Sequence, residues 1–308
     1  MSLTAFLLVL AAAFAHAGWN IIAHGSSRTG LPFLWWGSVF SVLLWVGAIP
    51  FTGGIGASDW GGLALGIGVS AILHVGYMLL LQRGYASGEL STVYATARGT
   101  GPLLTLVVAV ALLGERPSPL ALGGVLVVIA GVVAMGLIGR RPAGGGSPRS
   151  GSAGAGSSRT GSAPAGRRVD PAIAFGLATG VAIAAYTVWD THALREWGIS
   201  PVAFMVGCTA LEVPLFSLAV WRRRRELVPT FRANWGRLLA FGVLSPLSYI
   251  LVLTAVTIAP VSLVAPVREV SVVLVSLFGA FVFHEKRPVP RVIAAVVVTG
   301  GIVLLGIG

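Results

Sequence analysis

The sequence predicts an all-α polytopic membrane protein, with ten transmembrane helices arranged as two inverted five-helix repeats around a central cavity. Three observations predict it. The chain has 308 residues, of which 56% are apolar and 10% charged, with a mean hydropathy of +0.89; that leaves too little polar surface for a soluble fold. Apolar stretches about as long as a bilayer core is thick recur along the chain. The second half also repeats polar landmarks of the first at a fixed spacing.

The apolar stretches run at approximately 3–22, 31–51, 61–82, 90–113, 118–138, 171–190, 201–221, 236–257, 260–283 and 289–307. The first could be read as a secretory signal, but Met1 to Thr4 carries no basic side chain, and residues beyond the small-residue sites reappear in the second half. Residues 140–169 are dominated by Gly, Ser, Ala, Pro and Arg, and this composition predicts a flexible tether. The expected organisation is therefore a first five-helix unit at 1–139, a linker at 140–169 and a second five-helix unit at 170–308.

At an offset of 170, Trp19 matches Trp189, Gly37 matches Gly207, Arg98 matches Arg268, Glu115 matches Glu285, Gly131 matches Gly301 and Gly136 matches Gly306. Tyr77 and Tyr249 correspond if a two-residue gap is allowed. Five crossings per copy is an odd number, so the copies must be inverted relative to one another, as in many secondary transporters, with a site between the halves near the midplane.

The formal charge of +11 does not indicate nucleic acid, because the basic residues lie between apolar segments rather than along a helix face. They report topology instead. One side collects Arg28, Arg83, the arginines of 140–169, those from Arg222 to Arg237, and Lys286, Arg287 and Arg291, against only Arg116 and Arg195 on the other. That bias places the linker in the cytoplasm and both termini outside. Expected partners are a small-molecule substrate and the lipid bilayer, with the plasma membrane as the location.

Ionisable groups within membrane segments are costly and mark candidate sites. Arg98 and Arg268 each fall about 12 Å into a helix at 1.5 Å per residue, too deep to reach water easily. Their planar guanidinium groups could hold a carboxylate or phosphate, or could satisfy a glutamate across the repeat interface. His16, Trp19 and Asn20 share one helical face, and Tyr186, Trp189 and Asp190 share the equivalent face in the second half. Both faces are expected to line the cavity, with His74, Tyr77 and Tyr94 adding polar tips. Trp19, Trp189 and Asp190 could instead be anchors near helix ends. Glu212 and Glu269 are candidates for proton coupling, the alternative for each being a static ion pair with Arg98 or Arg268. Glu115 and Glu285 stand in turns before a proline and are expected to cap the following helix. Gly131, Gly136, Gly301 and Gly306 suit close helix packing.

The lone Cys208 rules out an intrachain disulfide, and no paired Cys, clustered His, phosphate-binding glycine loop or nucleophile elbow is present. No metal, cofactor or enzymatic activity is expected.

The run His16-Ala17-Gly18-Trp19-Asn20, the stretch Ala265-Pro266-Val267-Arg268-Glu269-Val270, the two glutamate turns and the duplicated ten-helix plan together resemble the drug/metabolite transporter superfamily, specifically its EamA-type branch. The resemblance covers nearly the whole chain apart from the linker. It implies two inverted five-helix repeats around a cavity, and export of small metabolites such as amino acids or drugs by alternating access. It also implies cytoplasmic termini, opposite to the loop count. Exchange of phosphorylated or nucleotide-linked sugars is the second transport reading. A membrane-embedded enzyme acting on lipid-linked substrates and a scaffold docking through the basic linker are the rivals from other classes.

Overall fold

The computed structural model describes residues 1–22, 30–57, 59–87, 90–138, 170–282 and 288–307. The linker 140–169, the Glu285 turn and Arg28 lie outside these. The described residues form eleven α-helices and no strand: α1 (Leu3–Ile22), α2 (Leu31–Trp45), α3 (Trp60–Ser87), α4 (Leu90–Leu112), α5 (Pro119–Ile138), α6 (Pro171–Trp197), α7 (Pro201–Val220), α8 (Leu227–Ile258), α9 (Val261–Arg268), α10 (Val270–Val282) and α11 (Pro288–Ile307).

Local chemistry sets the boundaries. Asp170 caps α6 by accepting from the Ala172 amide at 2.9 Å, Pro171 occupies the first turn, and Gly198 ends the helix at φ 61°. Ser118 caps α5 through the Ala121 amide at 3.1 Å. Helices α6 and α8 run longer than their apolar stretches, because a helix continues into polar flanks once its backbone donors are satisfied. The predicted single segment 260–283 is two helices broken at Glu269. Pro266 lacks an amide hydrogen and interrupts the ladder, and the Glu269 amide turns back to the Pro266 carbonyl at 3.0 Å.

Seven helical stretches among the described residues are long and apolar enough to cross a membrane. By that measure α7 and α8 form one stretch, joined by the 3-10 turn Trp221–Glu226, and α5 is a shorter apolar helix. Large apolar side chains such as Leu7, Phe14, Leu43, Leu65, Leu126 and Val303 are exposed around the outside. Such a surface is a liability in water and suits lipid. This is an integral membrane protein.

The packing follows the 170-residue offset. Helix α6 packs on α3 and α4, as α1 packs on α8 and on the α9–α10 pair; α2 packs on α8 as α7 packs on α3; α5 packs on α11. Small residues make these approaches possible. A Cβ on Gly37 would lie 2.6 Å from the Phe241 ring, and one on Gly131 would lie 2.6 Å from Val298. Gly306 has open space around it, so it does not share the packing role expected of Gly301. The surroundings of Gly136 lie outside the described residues.

At Gly301 a Cβ would meet the Val128 amide at 2.8 Å and the Gly124 carbonyl at 2.9 Å. Since backbone cannot give way as a side chain can, Gly301→Leu should force α5 and α11 apart at a cost of about 1–3 kcal/mol. The expected outcome is a lower thermal unfolding midpoint in detergent for Gly301→Leu and an unchanged one for Gly306→Leu. Equal shifts would sink this packing account.

Candidate functional site

Between the halves lies a cavity with about 1210 Å³ of atom-free space, its open mouth included. Its lining draws on the C-terminal halves of α1 and α3 and the N-terminal halves of α2 and α4. Those ends meet at one end of the bundle, so the cavity is displaced toward it.

Helix α1 presents His16, Trp19 and Asn20 to the cavity as its spacing predicts. Asn20 donates to the His16 carbonyl at 2.8 Å, and the Trp19 ring meets His16 and Phe241 edge-on at 5.0 and 5.1 Å. From α4, Arg98 sends Nη1 to both Glu269 carboxylate oxygens at 3.3 and 3.4 Å and Nη2 to His16 Nε2 at 3.2 Å, and its guanidinium lies 5.2 Å over the Tyr94 ring. Arginine can only donate, so His16 Nε2 is the acceptor and that imidazole carries its proton on Nδ1. Arg98 is thus answered on three sides.

Arg268 is not. Its Nε lies 3.8 Å from Glu269 Oε1, beyond hydrogen-bond distance, and its terminal nitrogens have no acceptor among the described residues, although the side chain lines the cavity. Glu269 itself is 1% exposed and sits behind the two arginines rather than in the lining. The corner therefore holds two cations and one carboxylate.

The face expected from Tyr186, Trp189 and Asp190 is realised for Tyr186 alone. Helix α6 is held between α3 and α4, with Gly176 and Gly180 seated on Thr96 and Thr100, and this turns the next two positions away from the cavity. Trp189 donates its indole N–H to the Gly66 carbonyl of α3 at 3.0 Å and packs against Trp197. Asp190 is fully buried behind the wall and accepts from the Tyr249 hydroxyl. His74 and Tyr77 of α3 and Tyr94 of α4 do line the cavity. His74 lies against Tyr186 at 4.2 Å and Tyr77 meets the same ring at 5.5 Å. Glu212 also faces inward and accepts from Ser38 at 2.9 Å.

Lining residues that sequence reasoning did not single out include Ser38, Ser41, Tyr85, Thr209, Phe241 and Tyr249. For Tyr249 a signal existed, since it is the repeat partner of Tyr77. The hydroxyl residues carried none.

The opposite end is closed by a latch. Glu115 does not cap the helix that follows it. Its two carboxylate oxygens accept from the Val261 and Ser262 amides at 2.8 and 2.9 Å, the first turn of α9 in the other half. Arg195 at the end of α6 reaches Glu115 at 3.3 Å and donates to the Val256 and Ala259 carbonyls at 2.8 and 2.7 Å. Beside it, the Ser200 amide donates to the Ile55 carbonyl at 2.9 Å.

Residues 170–307 match the EamA-like transporter family. The chain has the fold of a solved structure described as "Crystal structure of protein", with a TM-score of 0.70, 18% identity, and coverage of 100% of this chain and 98% of that one. No curated protein matches the chain. That family is part of the drug/metabolite transporter superfamily, whose members are membrane transporters of small molecules.

Removing the Glu115 carboxylate leaves two backbone donors and Arg195 without their acceptor, a loss of about 1–3 kcal/mol. Glu115→Ala should lower the unfolding midpoint in detergent by more than Glu196→Ala, an acid one residue from Arg195 on the same helix. No difference between the two would remove the latch from the account.

Proposed function

We propose that this protein is a secondary transporter that exports small metabolites, amino acids or related carboxylates, across the plasma membrane by alternating access. Its frame is ten crossings in two inverted five-helix repeats, 1–139 and 170–308, tethered by 140–169. The packing that repeats at the 170-residue offset supports that frame.

The observation that carries the reading is the open guanidinium of Arg268. Arg98 has its counter-ion in Glu269, its acceptor in His16 and its ring in Tyr94. Arg268 has free donors aimed into a cavity walled by Trp19, Tyr77, Tyr94, Tyr186 and Tyr249, the combination of apolar wall and few polar anchors that holds a small ligand. One positive charge in excess suits one carboxylate. A phosphate dianion would meet a single open guanidinium, which makes the sugar-phosphate exchanger the poorer fit. Glu269, fixed between two arginines, serves as their counter-ion, while Glu212 and Ser38 offer polar contacts on another part of the wall. His16, Asn20 and His74 supply the remaining hydrogen-bonding tips. The loop charges favour a cytoplasmic mouth, which suits a cavity loaded from inside.

Thermal stabilisation of the purified protein against amino acids, nucleosides, sugar phosphates and cationic drugs tests this reading. A compound at about 100 times its dissociation constant adds about 2.7 kcal/mol. Carboxylate-bearing compounds are expected to stabilise the parent and to lose that effect in Arg268→Ala. If none stabilises the parent, or Arg268→Ala responds equally, the anionic-substrate reading falls.

A further inference from the structure

Besides Glu269, a second buried acid among the described residues takes no part in the cavity lining. Asp190 on α6 is 0% exposed, its Oδ1 has no hydrogen-bond partner, and its Oδ2 accepts from Tyr249 and lies 3.9 Å from His74 Nε2. His74 Nδ1 lies 3.0 Å from the Ser70 carbonyl and 3.2 Å from the Ser70 hydroxyl. The carbonyl only accepts, so the shorter contact puts a proton on Nδ1 and leaves Nε2 bare in the neutral ring, with the hydroxyl free to turn toward Asp190. Two acceptors, His74 Nε2 and Asp190 Oδ2, therefore lie 3.9 Å apart, and the Tyr249 hydroxyl donates to the second of them. A bare carboxylate there would be a buried charge without a cationic partner, which is costly. The geometry has room for one more proton.

We propose that Asp190, His74 and Tyr249 form a proton-binding site behind the cavity wall, open to the cavity through the His74 ring. A proton from cavity water adds to His74 Nε2 and passes to the Asp190 carboxylate, which returns the imidazole to its neutral form with Nδ1–H still on Ser70. Its use as the coupling site of a transporter rests on the reading above.

The groups around it favour this pair over its neighbours. From α3 come His74 and Tyr77, from α6 itself Tyr186, from α7 Cys208 and Glu212, from α8 Tyr249, and from α9 Arg268. On α4, Arg98 is held by Glu269. Tyr186 and His74 are in ring contact and both line the cavity, so a ligand seated on that wall presses on the group that admits the proton. The first half has no equivalent acid, since Asn20 occupies the matching place in α1.

The test is infrared spectroscopy of the full chain in lipid vesicles, following the carbonyl stretch of a protonated carboxyl through a pH titration. The expected result is a titrating carboxylic-acid band that Asp190→Asn lacks. In His74→Gln the band should persist to higher pH, because a partner able to carry positive charge beside the carboxylate is gone. Tyr249→Phe should move it the same way by removing the donor to Oδ2, and supplies the reading should Asp190→Asn fail to fold. A band retained in Asp190→Asn, or a midpoint unmoved in both His74→Gln and Tyr249→Phe, overturns the proposal. So does loss of the band when sodium replaces potassium at fixed pH, which would make the site one for a metal cation. The spectrum reads the proton itself, so its outcome is independent of whether any compound stabilises the protein.

Discussion

A guanidinium buried in a membrane protein needs an anion, and here two of them turn to one carboxylate. Glu269 draws Arg98 of the first half and Arg268 of the second to the same point. It can do so because Pro266 breaks the ladder and lets the chain stop and restart at Glu269. In lipid an interrupted helix is tolerated only where its free backbone groups are buried in protein or line a cavity. The break and the ion pairs thus demand the same place in the fold, at the contact between halves, and the cavity forms in front of them. Removing Glu269 from this cluster leaves two buried cations without a counter-ion, and that penalty ties the two halves to one carboxylate.

Two consequences follow for the cavity. Symmetry in the sequence does not become symmetry in the site: Arg98 is saturated and Arg268 is open, Asn20 faces the cavity and Asp190 is withdrawn behind it. The two ends also differ. One is held by Glu115 on the first turn of α9 and by Arg195 on the carbonyls that close α8, while the lining residues lie toward the other. A cavity held shut at one end by polar contacts suits one half of an alternating-access cycle, since such contacts exchange for water at small net cost.

Much of this is legible in the amino-acid sequence. Hydropathy locates the helices, and the 170-residue offset singles out Arg98, Arg268 and Glu115, because charged residues in apolar surroundings seldom coincide by chance. What the sequence does not reveal has physical reasons. Helical spacing places Tyr186, Trp189 and Asp190 on one face but cannot say which neighbours that face meets, and Gly66 offers a carbonyl to Trp189 that only the packing of α3 on α6 brings near. A hydropathy window is blind to backbone donors, so it passes over the break at Pro266 although the proline is visible. Glu115 is expected to serve its own neighbour and instead serves a helix that begins 146 residues further along the chain, a contact that no local pattern encodes.

Arg98 and Glu269 act as one unit across the interface of the halves. A double-mutant cycle on thermal unfolding of the purified protein, with Arg98→Gln, Glu269→Gln and the pair, measures it directly. Glu269→Gln is expected to cost about 3–5 kcal/mol by stranding two buried arginines, Arg98→Gln to cost less because Arg268 stays beside Glu269, and the double to cost clearly less than the sum of the two. Additive costs would contradict the account, leaving the two side chains as neighbours that do not depend on one another.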